Sequence, residues 1–226
     1  MTIAAIIPIR YVDCCLDDGT PRLTLKGRTL WDITLEQALD SGAVHVVVAY
    51  DDDRFLPHLE RWGERIIKVR RPAELSTAAR TTIDVLRFAL GELNRRGIAA
   101  GKGMLLEITH PLRPKDIIAQ VARVAQSDEV DSVVTCRTAR YNFWRREDDG
   151  PVTRLIGPGE AAHVGMYQEM VGICSVFSAE ALNGDNPFGE RVDIVPIDRF
   201  WSTIDVRDVD GAWLAETYLD HLGITV

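Results

Sequence analysis

"IAAIIPIRYVDCCLDDGTPRLTLKGRTL", residues 3–30, sets the fold. Ile3–Ile9 is a run of apolar, mostly β-branched residues and reads as a buried strand. A long polar loop follows. Thr29, with Asp32 three residues on, then opens a helix as a carboxylate variant of the capping box. A strand that runs through a polar loop into a helix is the unit of an α/β protein, and such a junction commonly holds phosphate. This loop has only two glycines, Gly19 and Gly27, and no phosphate-loop signature. It does carry Arg10, Arg22 and Lys26, three cations able to neutralise a triphosphate without a glycine nest. Asp13, Asp17 and Asp18 lie among them. Residue types alone leave two readings open, a phosphate grip and a salt-bridged surface loop.

The same alternation continues outward. Trp31, Leu35, Ala38 and Leu39 share one helical face, and Gly42 can end that helix. Val44–Ala49 reads as a second strand, Asp51–Trp62 as a weaker helix interrupted by Pro57, and Ile66–Val69 as a short strand. Thr81 and Asp84 repeat the cap pattern before a helix carrying Ile83, Leu86, Leu90 and Leu93 and ending near Gly97. Met104–Ile108 reads as a central strand. Pro114 is placed to begin a helix whose buried face is Ile117, Val121 and Val124. Asp131–Cys136 is another strand. From 137 to 168 the regularity lapses, and so long a connection implies a functional or interface excursion. Val171–Phe177, Val192–Ile197 and Thr203–Val206 read as strands, and a last helix runs from Asp208 to about His221. Strands alternating with helices predict a three-layer, Rossmann-like α/β fold with a mostly parallel sheet, in one domain over 1–226. Ligands of such sheets lie at the carboxyl ends of the strands.

Bulk properties narrow the function classes. Apolar residues make up 46% of the 226, enough for a substantial core. A net charge of −8 disfavours non-specific nucleic-acid or membrane binding but not a small anion held by local arginines. The four cysteines form no C-x-x-C pair, and adjacent Cys14 and Cys15 are badly placed to bridge each other. No apolar run reaches the ~20 residues of a membrane span, and the first ten residues lack a basic leader. A cytoplasmic location is the expectation.

Three further stretches could carry chemistry. "AYDDDR", residues 49–54, ends a strand in three carboxylates, which read as helix-capping aspartates before a metal cluster. "LLEITHPLR", residues 105–113, sets Glu107, His110 and Arg113 at a strand end. A carboxylate in a buried strand is costly unless paired, so Glu107 needs a cation or a ligand. His110 could be a base, a metal ligand or structural, and Arg113 could cap the strand end or meet an acidic substrate. In "WSTIDVRDVDG", residues 201–211, Asp205 could bind Mg²⁺ together with substrate phosphates, and Asp208 reads as a helix cap.

"RPAELSTAARTTIDVLRFAL" (71–90), "LLEITHPLRPKDI" (105–117), "YQEMVGICSVFSAEAL" (167–182) and "STIDVRDVDGAWLAE" (202–216), in this order and spacing, resemble the CMP-acylneuraminate synthetase family. These are the cytidylyltransferases that activate sialic and related sugar acids. The resemblance covers nearly the whole chain. It implies a nucleotide-diphospho-sugar transferase fold, CTP and an acid as substrates, pyrophosphate release, Mg²⁺, and a homodimer in which 137–168 reaches towards the neighbouring subunit. On matching positions it implies that Arg10, Arg71 and the 76–84 segment, with Arg80 and Thr82, face the nucleotide; Tyr11, Arg22 and Lys26 are expected beside them, Arg22 and Lys26 in place of the family's lysine. Glu107, His110, Arg113 and Glu169 would face the acceptor, and Asp205 the metal, with Arg10, Lys26 and Asp205 central to catalysis. The family's first loop usually contains Gly-Gly-Ser-Lys, absent here. Arg207 replaces a second metal aspartate, and Glu107 a glutamine.

The reaction so implied is attack by an acceptor oxygen on the α-phosphorus of CTP, helped mostly by positioning and charge neutralisation. A sugar hydroxyl wants a base. A phosphonate or carboxylate oxygen does not, and no base-activated nucleophile stands out in the sequence. The sequence therefore leans towards a small anionic acceptor such as a phosphonate, phosphonoformate for example. A sialic acid-like or Kdo-like sugar acid is the alternative. A nucleotide-binding member without catalysis is the third reading, kept open by Arg207.

Overall fold

A computed structural model describes residues 2–42, 45–77, 80–138, 143–156 and 166–223. In chain order the elements are β1 (Ile3–Ile9), the one-turn α1 (Tyr11–Cys14), β2 (Thr24–Leu25), β3 (Arg28–Thr29), α2 (Leu30–Asp40), β4 (His45–Tyr50) and the short α3 (Leu56–Leu59). There follow β5 (Ile67–Arg70), α4 (Thr82–Arg95), β6 (Lys102–Leu105), α5 (Ile117–Val124), β7 (Ser132–Thr138), β8 (Phe143–Arg146) and β9 (Val152–Ile156). The last are β10 (Tyr167–Glu169), β11 (Ser175–Ser178), α6 (Ala179–Asn183), β12 (Val192–Pro196) and α7 (Val209–Leu222).

One mixed sheet of eight strands carries the molecule. Across it run β5, β4, β1, β6, β11 and β7. β11 and β12 both pair with Ser132–Val134, so they occupy opposite edges of β7, while β10 pairs with Cys136–Thr138 beyond the reach of β11. Only β10 and β11 run against the others. The Rossmann-like, mostly parallel α/β fold is therefore present.

β1 shows why. Ile3, Ala5, Ile7 and Ile9 enter one core cluster with Trp31 and Leu35 of α2, whereas Ala4 and Ile6 enter another with Leu86 and Leu90 of α4. The period of two thus delivers apolar side chains to both faces, as a strand sandwiched between helix layers requires. β4 does the same with Val46 and Val48 against Val47 and Ala49. A third cluster joins Leu25 and Leu30 to Ile204, Val206 and Leu219, so α7 packs over the β2–β3 hairpin.

The caps behave as read, with one difference. Thr81 and Asp84 form a full reciprocal box at α4. Thr29 accepts from the Asp32 N–H, but the Asp32 carboxylate instead takes the Trp62 indole N–H at 3.1 Å and pairs with Arg61. Asp208 caps α7 by accepting from the Gly211 N–H at 2.8 Å. Lys102, buried at the start of β6, donates to the carbonyls of Ala125, Ser127 and Val130 at 2.6–2.9 Å. Its charge sits where α5 has run out of N–H partners, which is where a cation is stabilising.

Several expected boundaries are corrected. Val171–Phe177 is not one strand: residues 171–174 form a turn around Gly172, whose φ of 88° no strand tolerates, and β11 begins only at Ser175. Thr203–Val206 is not a strand either. It is the end of a 3₁₀ turn (Phe200–Thr203) and a short extended link, tied to the body by Val206 N–H donating to the Thr109 carbonyl at 2.7 Å. Its Ile204 and Val206 are apolar because they fill the third cluster. Asp51–Trp62 breaks into 3₁₀ turns flanking α3, with Pro57 at its start. β6 stops at Leu105, short of Ile108, and α5 begins at Ile117, beyond Pro114. Within the expected excursion, β8 and β9 form an antiparallel hairpin. Val44, 139–142 and 157–165 lie outside the described residues. Among those described, no helix is long and apolar enough to cross a membrane.

Candidate active site

Pro8 opens the site. β1 pairs with β6 up to Ile6 and Leu105, and the Leu106 N–H still donates to the Ile6 carbonyl. Alternate residues of a parallel strand address alternate neighbours, so Pro8 faces the space where β6 has already ended. Its missing N–H breaks no ladder bond there, and the two strands part. A cavity of 740 Å³ fills the gap along the carboxyl ends of β5, β4, β1 and β6. Among the described residues Arg10, Arg22, Arg71, Arg80 and Arg207 line it, against two carboxylates, Asp13 and Glu107. A chain of net charge −8 has gathered an excess of positive charge at one sheet edge.

Arg10 follows β1 directly. The single turn of α1 folds Asp13 back over it, so Nε and Nη2 donate to the two carboxylate oxygens at 2.6 and 2.9 Å. Nη1 donates to the Ser76 carbonyl at 3.3 Å. The same Ser76 accepts from Arg71 Nε through its hydroxyl at 3.1 Å. Arg71 is buried and lies 3.8 Å from Asp51, whose other oxygen accepts from the Tyr11 N–H at 2.8 Å. Burial lowers the Arg71 pKa, Asp51 opposes that, and nearby Arg10 adds to it. Asp51 is thus a partly buried counter-ion, a role that the cap reading of "DDD" did not contain. Arg22 Nε donates to the Val12 carbonyl at 2.8 Å and closes the loop. Arg80 and Thr82 reach the cavity at the N-terminus of α4, where N–H groups and the helix dipole favour anions.

Lys26 does not join them. Lys26 and Gly27 both have positive φ, 49° and 76°, as the two-residue turn between β2 and β3 demands. That turn delivers Lys26 to α7. Its N–H donates to Glu216 at 2.7 Å and its ammonium to Asp220 at 2.7–2.8 Å. Tyr11 is also spent on structure, its hydroxyl donating to the Leu16 carbonyl at 3.2 Å.

At the β6 end of the cavity stands Glu107. Its N–H donates to the Gly172 carbonyl at 2.9 Å. A Cβ on residue 172 would come within 2.7 Å of Glu107 Oε2, so this glycine is needed for close approach as well as for its positive φ. Burial raises the Glu107 pKa, and Arg207 opposes the shift. Arg207 lies 3.5 Å from Glu107 Oε2 and donates from Nε to Asp205 Oδ2 at 2.6 Å. Gly172 did not stand out as a site residue in the sequence, and Arg207 did so only as the replacement for a metal aspartate. The glycine's signal was its place directly after a buried apolar stretch, and that of Arg207 was its position beside Asp205.

Three of the expected acceptor residues lie elsewhere. Arg113 is buried beneath Glu107, where it donates to the carbonyls of Ile173 (2.5 Å), Gly172 (3.0 Å) and Glu107 itself. It is a backbone clamp and cannot also meet a substrate. Glu169 sits in β10 opposite Cys136, away from the cavity. His110 is buried, its Nδ1 3.2 Å from the Thr109 hydroxyl, and does not line the cavity.

Burial, with help from the Arg113 charge, pulls the His110 pKa from 6.5 down to about 4. Between those values the unfolded chain takes up a proton that the folded one refuses. Stability therefore falls as pH drops from 6.5 to 4, by up to about 1.4 kcal/mol per pH unit for one group. His110→Gln is expected to flatten that slope in urea midpoints measured from pH 7 to 4. An unchanged slope would place the acid sensitivity elsewhere.

Asp205 was expected to hold Mg²⁺. One carboxylate oxygen is committed to Arg207, the other carries no hydrogen bond from the described residues, and the side chain is 37% exposed but does not itself line the cavity. No cluster of three metal-ligating side chains occurs among the described residues. That donor set suits an ion brought in by substrate phosphates, which needs only one or two carboxylates, and not one held by protein alone.

No protein-family model matches the chain. It is 30% identical to a 3-deoxy-manno-octulosonate cytidylyltransferase of Psychromonas ingrahamii over 139 residues, 60% of this chain and half the length of that protein. The enzyme of the same name from Thioalkalivibrio sulfidiphilus is 27% identical over 207 residues, 79% of each chain. Among solved structures, 4-diphosphocytidyl-2C-methyl-D-erythritol synthase superposes with a TM-score of 0.71 at 14% identity, covering 97% of this chain and 98% of that one. CMP:2-keto-3-deoxy-manno-octonic acid synthetase, solved with CTP, gives 0.67 at 14% identity, covering 98% and 100%. These likenesses establish the nucleotide-diphospho-sugar type of fold. The sequence relatives are named for a sugar acid, and nothing among them supports the lean towards a phosphonate.

Proposed function

We propose that the chain is a CTP-dependent cytidylyltransferase that transfers CMP to an acidic sugar of the 3-deoxy-manno-octulosonate type and releases pyrophosphate. The observation that carries this reading is the arginine-lined cavity at the carboxyl edge of the sheet, on an otherwise acidic chain. Its volume of 740 Å³ suits a nucleotide together with a second ligand. The names of the two sequence relatives favour the sugar acid over the phosphonate.

In this reading Arg10, Arg71 and Arg80, with the N-terminus of α4, hold the triphosphate. Arg10 gives up Asp13 for phosphate oxygens, while Arg71 stays fixed by Ser76 and Asp51. A guanidinium anchored before the substrate arrives, as that of Arg71 is, needs no reorganisation as charge moves to the leaving pyrophosphate. The acceptor enters at the β6 end, beside Glu107 and Arg207. Mg²⁺ carried with the triphosphate would be held at Asp205, where it supplies further neutralisation of phosphate charge. The exposed Phe143, Trp144 and Leu155 of the β8–β9 hairpin support the reading of a homodimer.

The test is pyrophosphate release from CTP and Mg²⁺ with 3-deoxy-manno-octulosonate, other sugar acids and phosphonoformate in parallel. Turnover with the octulosonate is expected. Turnover with phosphonoformate alone would move the acceptor assignment, and none with any acid would overturn the catalytic reading.

A further inference from the structure

The five arginines of the cavity fall into two groups. Arg10, Arg22, Arg71 and Arg80 come from the crossover after β1, from the end of β5 and from the approach to α4. Arg207 comes from the other side, on the link that hangs from Thr109 through the Val206 N–H. It is 63% exposed yet not loose. Asp205 takes its Nε at 2.6 Å and Glu107 lies 3.5 Å from its Nη2, while Nη1 makes no hydrogen bond to the described residues. A planar guanidinium braced from behind, with donors left over and a place on a cavity wall, is the geometry of a carboxylate receptor.

Its neighbour is as constrained. Glu107 is held by the Gly172 turn, which leaves no room for a Cβ, and by Arg113, which donates to the carbonyls of both residues. The two residues are an acceptor of hydrogen bonds and a donor pair, side by side. An ionised carboxylate can read only a donor, such as a hydroxyl.

We propose that Arg207 and Glu107 together set the acceptor class: Arg207 takes a carboxylate, and Glu107 accepts a hydrogen bond from a hydroxyl on the adjoining carbon. The class is a 2-hydroxy acid or the ring form of a 2-keto acid. A small phosphonate dianion satisfies Arg207 but offers Glu107 no donor, and its second charge faces that carboxylate. A site built around a substrate hydroxyl rejects analogues that lack it far better than a site that merely leaves room. This inference deepens the proposed function and rests on it.

Binding of CTP, and of 3-deoxy-manno-octulosonate and phosphonoformate in the presence of a non-hydrolysable CTP analogue and Mg²⁺, is measured by calorimetry. The proteins are wild type, Arg207→Gln, Arg207→Lys and Glu107→Gln, each with a thermal melt to establish folding. Arg207→Gln is expected to weaken octulosonate binding by about 10²-fold while CTP affinity stays within about twofold, with Arg207→Lys intermediate. Glu107→Gln keeps an accepting oxygen but removes the charge that faces a phosphonate, and is expected to narrow the preference for octulosonate over phosphonoformate by at least about tenfold through tighter phosphonoformate binding. Steady-state kinetics should show the Arg207→Gln effect in the KM for the acid and not in that for CTP. Octulosonate binding unchanged in Arg207→Gln, or CTP weakened as much as the acid, would overturn the assignment. So would wild-type protein that takes CTP but no hydroxy acid, a result that leaves CTP binding intact. Wild-type protein that takes no CTP would instead overturn the proposed function itself.

Discussion

Arg10→Ala should lower kcat/KM for CTP on the order of a thousandfold without unfolding the protein. The residue is partly exposed and its bonds are to Asp13 and one carbonyl, so little of the core depends on it. Its position depends on the core completely: it is the first residue beyond β1, a strand buried on both faces. A guanidinium at that point is rigidly placed over the cavity at no ordering cost beyond its own side chain. Loss of one preorganised charge-assisted donor to a leaving group typically costs 10²–10³ in rate. Asp13 sharpens the expectation. In the free protein Asp13 occupies two of the Arg10 donors, so Asp13→Asn should favour triphosphate binding where Arg10→Ala abolishes it. Stopped-flow pyrophosphate release, with circular dichroism as the folding control, separates these effects. A loss under tenfold in Arg10→Ala would remove Arg10 from the triphosphate site.

Arg113→Met should destabilise the fold by about 1–3 kcal/mol, the cost of leaving a buried polar group without its partner. Burial lowers the Arg113 pKa to about 10, so the group is still charged at neutral pH. Its donors satisfy the carbonyls of Ile173, Gly172 and Glu107 and approach Thr34 and Gln37. Methionine matches the bulk of the stem but leaves the buried Ile173 carbonyl without its donor, a loss of about 1–3 kcal/mol, while the Gly172 and Glu107 carbonyls keep only the N–H groups of Glu107 and His110. Because two of those carbonyls belong to Glu107 and Gly172, any folded fraction should also show weakened acceptor selectivity. Urea unfolding with an unchanged slope and a lower midpoint is the expected signature. A shift under 1 kcal/mol would mean that water replaces the guanidinium, and that the pocket beneath Glu107 is wetter than its geometry implies.

The legible parts of this fold are those written locally. β1 and β4 announce themselves because strands buried on both faces are continuous apolar runs, and α4 because its box and its apolar face agree. Arg10 was legible because it sits one residue past such a run. The failures share a cause, since each depends on where a turn sends the chain. Lys26 lies within the same loop as Arg10 and Arg22, yet a two-residue turn with positive φ aims it at Asp220, 194 residues away. Arg113 read as a strand-end cap or a contact for an acidic substrate, and only the packing of the Gly172 turn over it makes it a buried clamp. Ile204 and Val206 read as strand because their apolar alternation is genuine, but the partner surface is α7 and the β2–β3 hairpin and not the sheet. Asp51 read as a cap because nothing local reveals that Arg71 will be buried beside it.

The central claim is that cytidine triphosphate lies along the carboxyl edge of β5, β4, β1 and β6. A crystal structure of the protein with CTP and Mg²⁺ tests it most directly. The expected density places phosphate oxygens within hydrogen-bonding distance of Arg10 and Arg71, with Asp13 swung away from Arg10. CTP bound elsewhere, or the cavity empty at saturating nucleotide with Arg10 still on Asp13, would contradict it.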